Sequence, residues 1–211
     1  MTNKLAEAVI LSAVRTPSGA FQGGYASLTA MDLGAVVIKA AVERAGITQP
    51  EDIQEVIMGN VVSAGLGQNP ARQAVIRAGL PYSVGAFTLN KVCGSALKAA
   101  MLAAQAIKAG DGDLFVAGGM ESMSRAPFLV DGRTGSLRFG HAQLTDALLI
   151  DGLWCALAKW GVGDAAEFIA GEYDISREAM DNFAYQSQMN AVAAIDSGAF
   201  KDEIVPVEVK G

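Results

Sequence analysis

The 211 residues, enough for one large or two small domains with a sizeable core, are 51% hydrophobic and 18% charged with a mean hydropathy of +0.30, a balance that calls for elements buried on several faces. A net charge of −6, with a pI near 4.8 and no basic run or aromatic-basic interleaving, leaves out the electrostatic footprint of nucleic-acid binding, and charges interrupt every apolar stretch before the roughly 18 residues a membrane span needs. Two cysteines, Cys93 and Cys155, and one histidine, His141, make neither a disulfide framework nor a Cys/His metal set, so no metal is expected.

The opening MTNKLAEAVILSAVRTP carries Glu7 in its apolar stretch and soon reaches Arg15 and Pro17, unlike a secretory signal, so the cytoplasm is the default location. Within it EAVILSAV (7 to 14) is short and apolar and predicts a buried strand. Thr29 and Asp32 then form a capping-box-like pair ahead of MDLGAVVIKAAVERAG, a helix with its polar residues on one face that closes at Gly46. Strands are predicted over 55 to 62, 86 to 90 and 113 to 119, and helices over 69 to 79 and from Cys93 to about Ala109. These first three helices each end in Ala-Gly, a position suited to a left-handed cap. The third helix has only a narrow polar stripe of Lys98, Gln105 and Lys108 and is expected to be buried around most of its circumference. Alternating strand and helix give an α/β fold, a mainly parallel sheet covered by helices.

After Glu121 the texture changes to a Ser-, Arg-, Gly- and Pro-rich stretch, SMSRAPFLVDGRTGSLRFG, which marks a boundary: an α/β domain over 1 to 120, then a second region over 121 to 211. In the latter, helices are predicted at about 144 to 159 and at 176 to 196, the second capped by Ser176, and a strand at 203 to 209. Cys155, amid DGLWCALAKW, reads as a buried structural cysteine with nothing nearby to lower its pKa. Cys93 differs: it follows a strand and opens a helix, where free N–H groups and the macrodipole favour a thiolate, although a small residue in such a turn also suits tight packing. His141 lies in an irregular region and reads as solvated, and Lys91 as an ordinary neighbour of the cysteine.

MGNVVSAGLGQNPARQA (58 to 74), NKVCGSALKAA (90 to 100) and VAGGMESMSRAP (116 to 127) fall in order and closely resemble the thiolases, as do VRTPSGAFQGG (14 to 24) and FKDEIVPVEVKG (200 to 211). The resemblance covers practically the whole chain. It implies a layered α/β fold with an inserted, mostly helical loop domain, and acyl transfer between acyl-CoA thioesters, either forming acetoacetyl-CoA or cleaving it. By the same resemblance Cys93 is the nucleophile that holds the acyl group, and its backbone N–H donates to the oxyanion. Coenzyme A thioesters enter as substrates rather than as a permanently bound cofactor. Leu153, Val162 and Gly163 match the region that touches the pantetheine, although Gly161 and Val162 stand where His and Met are usual, and Ala96 replaces a glycine in CGSGL.

Thiolases of this kind are about twice as long, and the motifs bearing the activating histidine, a second cysteine and an oxyanion asparagine belong to the half that this chain does not match. The expectation is therefore the N-terminal half with an incomplete loop domain, inactive alone, joined by a partner chain or a second copy. Leu66 to Arg77 resembles a segment of thiolase dimer contacts. A sheet strand that the family takes from beyond the loop domain would leave an apolar edge exposed and the isolated chain prone to aggregate. Two alternatives stand beside this reading: a non-catalytic interaction module of thiolase descent, and a related ketosynthase, against which NKVCGSALK and GGMESMSRAP both argue.

Overall fold

The computed structural model describes residues 6–133, 137 and 139–209; the sequence readings that touch residues 1–5, 134–136, 138 and 210–211 lie in part outside them. Its centre is a three-stranded, all-parallel sheet of β1 (Glu55–Gly59), β2 (Gly85–Leu89) and β3 (Phe115–Gly119), in the order β2-β1-β3. Because side chains alternate along a strand, β1 feeds two cores. Val56 and Met58 join the larger core with α1 (Ala30–Arg44) and α2 (Pro70–Arg77) on one face, and Ile57 joins Ala99 and Ala103 of α3 (Ser95–Ala109) on the other. The result is helix, sheet, helix, the α/β architecture that the alternation of elements implies.

The helix ends follow their sequence signals. Thr29 caps α1: its hydroxyl accepts from the Asp32 N–H and the Asp32 carboxylate accepts from the Thr29 N–H at 2.9 Å. Arg77, in the last turn of α2, reaches Asp32 at 2.6 Å and Thr29 at 2.9 Å, locking the start of one helix to the end of the next. Burial pushes the Asp32 carboxyl up, but its bonds to Thr29 and the Arg77 charge outweigh it and hold it below the usual value. Gly46, Gly79 and Gly110, the glycines of the three Ala-Gly pairs, have φ of 71°, 82° and 83°, the left-handed geometry of helix termination.

Several segments depart from the sequence reading. Among the described residues, 7 to 14 form no ladder; Val9, Ile10 and Leu11 are 68%, 87% and 59% exposed, and the stretch is fixed where Ser12 donates to the Ala41 carbonyl and Arg15 bridges Ile204. An apolar run becomes a buried strand only when a neighbour lends it hydrogen bonds, and among the described residues none pairs with it or with the outer edge of β3. Residues 203 to 209, expected as a strand, supply only that single bridge, reinforced by the Arg15–Glu203 ion pair at 2.6 Å and by Arg44, which donates to the Asp202 and Ile204 carbonyls.

The helix expected over 144 to 159 is instead a compact string of turns. β5 (Thr145–Asp146) pairs with β4 (Phe128–Leu129), a π-helical turn spans Leu149–Leu153, and β6 (Trp154–Cys155) pairs with β7 (Trp160–Gly161) in a hairpin. Lys159, with φ of 62°, closes that hairpin. Bulky apolar residues all round the run leave its periodicity uninformative. Two helices follow: α4 (Val162–Glu172), begun by the Gly161 N–H donating to the Asp164 carboxylate at 2.9 Å, and α5 (Arg177–Asp196), capped by Ser176. Neither has a buried residue.

The accessible surface of 14399 Å² exceeds by about half the roughly 9,300 Å² that a compact monomer of this mass exposes. Among the described residues no helix is long and apolar enough to cross a membrane.

A Cβ on Gly59 would lie 2.5 Å from the Ser95 Cβ and 2.8 Å from its carbonyl carbon, whereas one on Gly34 meets chiefly the movable Met120 sulfur. Gly59→Ala is therefore expected to destabilise by about 1 to 3 kcal/mol, and Gly34→Ala to stay within about 1 kcal/mol of the parent because helix propensity offsets the displacement; urea denaturation compares them. Since the Asp32 pKa is depressed by folding, its contribution is present above the unfolded carboxylate pKa and is lost as pH falls through the folded one. Asp32→Asn should thus lower the melting temperature near neutral pH and cease to matter in acid, as thermal melts across pH would report.

Candidate active site

The carboxyl ends of parallel strands are where an α/β sheet opens to ligands, and here that edge is cross-tied. The Asn60 N–H donates to the Leu89 carbonyl at 3.0 Å and the Met120 N–H to the Gly59 carbonyl at 2.9 Å, so the exits of all three strands are joined. Glu121, the first residue of the stretch where the sequence changes texture, turns back into this edge. One carboxylate oxygen accepts from Val61 and Val62 N–H groups at 2.8 and 3.3 Å, and the other from the Asn60 amide at 2.9 Å. Asn60, only 2% exposed, also donates to the Met120 carbonyl. Beside them a cleft of about 390 Å³ is lined by Asn60, Ser63, Asn69, Thr88 and Asn90.

Cys93 lies in the turn between β2 and α3, and it is exposed. The helix begins two residues later, at Ser95, with Gly94 as N-cap and no capping side chain. The Gly94 and Ser95 N–H groups are spent on the Lys91 and Val92 carbonyls at 3.1 Å each, whereas the Cys93 N–H makes no hydrogen bond among the described residues. The thiol thus stands on a one-turn pedestal before an uncapped helix start. The expectation that Cys93 itself opens the helix is shifted by two residues.

Val92 makes this turn possible. Its φ of 49° is left-handed, costly for a β-branched residue by about 1 to 2 kcal/mol. Asn90 accepts from the Val92 N–H at 2.8 Å, and Ser95 donates to the Val92 carbonyl at 2.6 Å while accepting from Lys91 N–H at 2.8 Å. Ser95 is 4% exposed and packs on side-chain-free Gly59; Ala96 has room because Gly119 faces it. Asn90, Ser95 and Glu121 were not singled out from sequence. The signal for Ser95 was present: a hydroxyl two residues after a cysteine at a helix start is well placed to bond the turn's own backbone.

α3 is less enclosed than expected. Its Ala99 and Ala103 face is buried, but Leu97 and Met101, one and two turns beyond the cysteine, are 68% and 49% exposed. Leu153, Val162 and Gly163 gather at one end of the β6–β7 hairpin, since Trp154 pairs with Gly161 between them. Val162 is 57% exposed and nothing lies near Gly163, so this corner is open. His141 and Lys91 are exposed and make no bond to Cys93. Cys155 is corrected: it is half-exposed in the hairpin rather than buried, and the Ala158 N–H donates to its sulfur at 3.3 Å. Backbone hydrogen bonds from Ala158 and then Leu157 pull its pKa down from the ordinary thiol value. Among the described residues, no group of three His, Cys, Asp or Glu side chains is arranged to hold a metal ion.

The family model described as "Thiolase, N-terminal domain" matches residues 8–211. An acetyl-CoA acetyltransferase of Cupriavidus necator is 55% identical over 203 residues, covering 96% of this chain and 51% of that protein. One from Escherichia coli is 57% identical over 202 residues, covering 95% and 51%. Among solved structures, the Acat5 thiolase from Ascaris suum in complex with coenzyme A superposes with a TM-score of 0.90 at 46% identity, over 96% of this chain and 52% of that one. The chain spans about half the length of the curated relatives it matches.

The two thiols should therefore both react, for different reasons. In a Cys93→Ser variant, alkylation of Cys155 by iodoacetamide is expected to reach half its limiting rate below the pH of about 8.5 typical of free cysteine. Adding Ala158→Pro, which deletes the donor, should move that midpoint upward; a midpoint at or above the free value in the single variant would refute the assignment.

Proposed function

This chain belongs to the thiolase family, and from that premise we propose that it carries the acyl-accepting half of an acyl-CoA acyltransferase, with Cys93 as the nucleophile. One observation carries the reading: within NKVCGSALK, the stretch that resembles the family's cysteine motif, the thiol is exposed on a hydrogen-bonded turn, next to its own unspent N–H and an uncapped helix start. In the reaction, the Cys93 sulfur adds to the thioester carbonyl and the Cys93 N–H donates to the oxygen that gains charge. The tetrahedral adduct then collapses, the coenzyme A thiolate leaves with the bonding pair, and an acyl thioester remains on Cys93. One thioester replaces another, so the exchange is close to isoenergetic and runs in either direction.

Carbon–carbon bond formation is a separate demand. It needs a base to take a proton from the second substrate's α-carbon, and such a base is typically worth about 10² to 10⁴-fold. Among the described residues Cys93 has no hydrogen-bonded base. Acyl loading is accordingly the step assigned to these residues, and condensation or thiolysis to the assembled enzyme. The exposed faces of α3 and α5 and the large surface support assembly with a complementary chain or a second copy.

We assign residues 1 to 120 to the nucleophile-bearing α/β domain and 121 to 211 to a coenzyme A-contacting region. Leu153, Val162 and Gly163 meet at an open corner of its hairpin, as contact with an extended pantetheine arm requires. The Ascaris relative is described with coenzyme A bound. Valine at 162 offers this ligand apolar contact alone, so binding there rests on shape and backbone groups.

Incubation with acetyl-CoA followed by intact-mass analysis and peptide mapping tests the reading. One acetyl group is expected on Cys93, absent in Cys93→Ser and retained in Cys155→Ser. An unmodified parent chain, or an adduct confined to Cys155, would overturn it.

A further inference from the structure

The Cys93 turn is held in its strained shape by two side chains, one acting from either end. Val92, at φ 49°, has its N–H bonded by Asn90 Oδ1 at 2.8 Å and its carbonyl bonded by Ser95 Oγ at 2.6 Å. The Ser95 oxygen also accepts from Lys91 N–H at 2.8 Å, so a single hydroxyl fastens the residues before the cysteine to the first turn of α3. Both clamps are anchored outside the turn. Asn90 donates to the Val61 carbonyl at 3.4 Å, at the exit of β1, and Ser95 is buried against Gly59 in the same strand. Valine at 92 would otherwise leave the left-handed region, and rotation about its φ would swing the next peptide unit, which contains the Cys93 N–H.

We propose that Asn90 and Ser95 are positioning residues that hold Val92 left-handed and so aim the Cys93 thiol and N–H together at one acyl carbonyl. The proposal rests on the reading of Cys93 as acyl acceptor, but it concerns the geometry of addition to a carbonyl rather than recognition of coenzyme A. That difference defines its test. Acylation uses the sulfur and the N–H at once, whereas alkylation by iodoacetamide displaces iodide at a saturated carbon and needs only an accessible sulfur.

The probes are p-nitrophenyl acetate and iodoacetamide, with modification at Cys93 followed by peptide mapping in a Cys155→Ser background. Ser95→Ala is expected to slow acetylation by about tenfold, in line with the sensitivity of reactions to small misplacement, while alkylation changes by less than about twofold. Adding Val92→Gly, which makes the left-handed turn free of strain, should restore acetylation. Should Ser95→Ala fail to fold, exposed Asn90 carries the same test. Asn90→Asp keeps the acceptor on Val92 N–H and is expected to keep the rate, whereas Asn90→Ala loses it and Val92→Gly recovers it. Equal slowing by both reagents, or no recovery with glycine at 92, would overturn the proposal. A parent chain acetylated by the aryl ester but not by acetyl-CoA would sink the acyl-CoA reading and leave the clamp standing.

Discussion

α3 approaches the sheet it crosses so closely that only glycine fits at the contact, and the site depends on it. Gly59 and Gly119 end β1 and β3 without side chains, and the first turn of the helix settles into the space they leave, Ser95 on one and Ala96 on the other. A larger residue at either strand end would lift the helix start and carry the cysteine away from the cross-tied edge. Close packing of this kind fixes position because interiors do not deform smoothly. The start of α3, and with it the Cys93 turn, therefore takes its position from close contact with two glycines rather than from any charged interaction.

A second layer of order comes from polar side chains that replace backbone partners at the strand exits. Glu121 accepts from two successive amides and from Asn60, so a residue in the connection leaving β3 organises the one leaving β1. Arg77 makes a second such tie, joining the start of α1 to the end of α2. Both are short networks with nearly all members satisfied, the condition under which polar groups near a core rigidify it. The hairpin of β6 and β7 relies on a different device, a ring pair of Trp160 and Phe168 with centroids 5.3 Å apart that holds α4 to the strand before it.

The regular part of the fold was legible because its signals are local. Thr29 with Asp32, Asn69 before Pro70 and the three Ala-Gly endings each state a helix boundary in a few residues, and the strands between them are short apolar runs. The position of Cys93, after a strand and just before a helix, was legible as well. What could not be read depends on distant partners. Val9 to Leu11 look like a buried strand by composition, yet burial is a property of the neighbour, which local sequence does not encode. Residues 144 to 159 are apolar on every side, so neither period prevails, and Thr145, Asp146 and Ala147 take their places from Phe128, Leu129 and Pro127. Ser95 carries a faint local mark, a hydroxyl two residues after the cysteine, whereas the bond from Val92 to Asn90 depends on a left-handed angle at Val92 that local sequence does not encode.

α5 carries one more consequence. Its twenty residues run from a Ser176 cap to Ser197 with none of them buried among the described residues, so its coil-to-helix balance is governed by end capping and by the Arg177–Asp181 and Gln186–Asn190 pairs. Deuterium would therefore enter its amides on a timescale set by fraying, long before it reached those of β1, whose Val56, Ile57 and Met58 open only when the whole domain does. The molecule is thus two thermodynamic populations on one chain, a slow-exchanging nucleus that bears Cys93 and a fast-exchanging arm whose order rests on its own caps and local pairs.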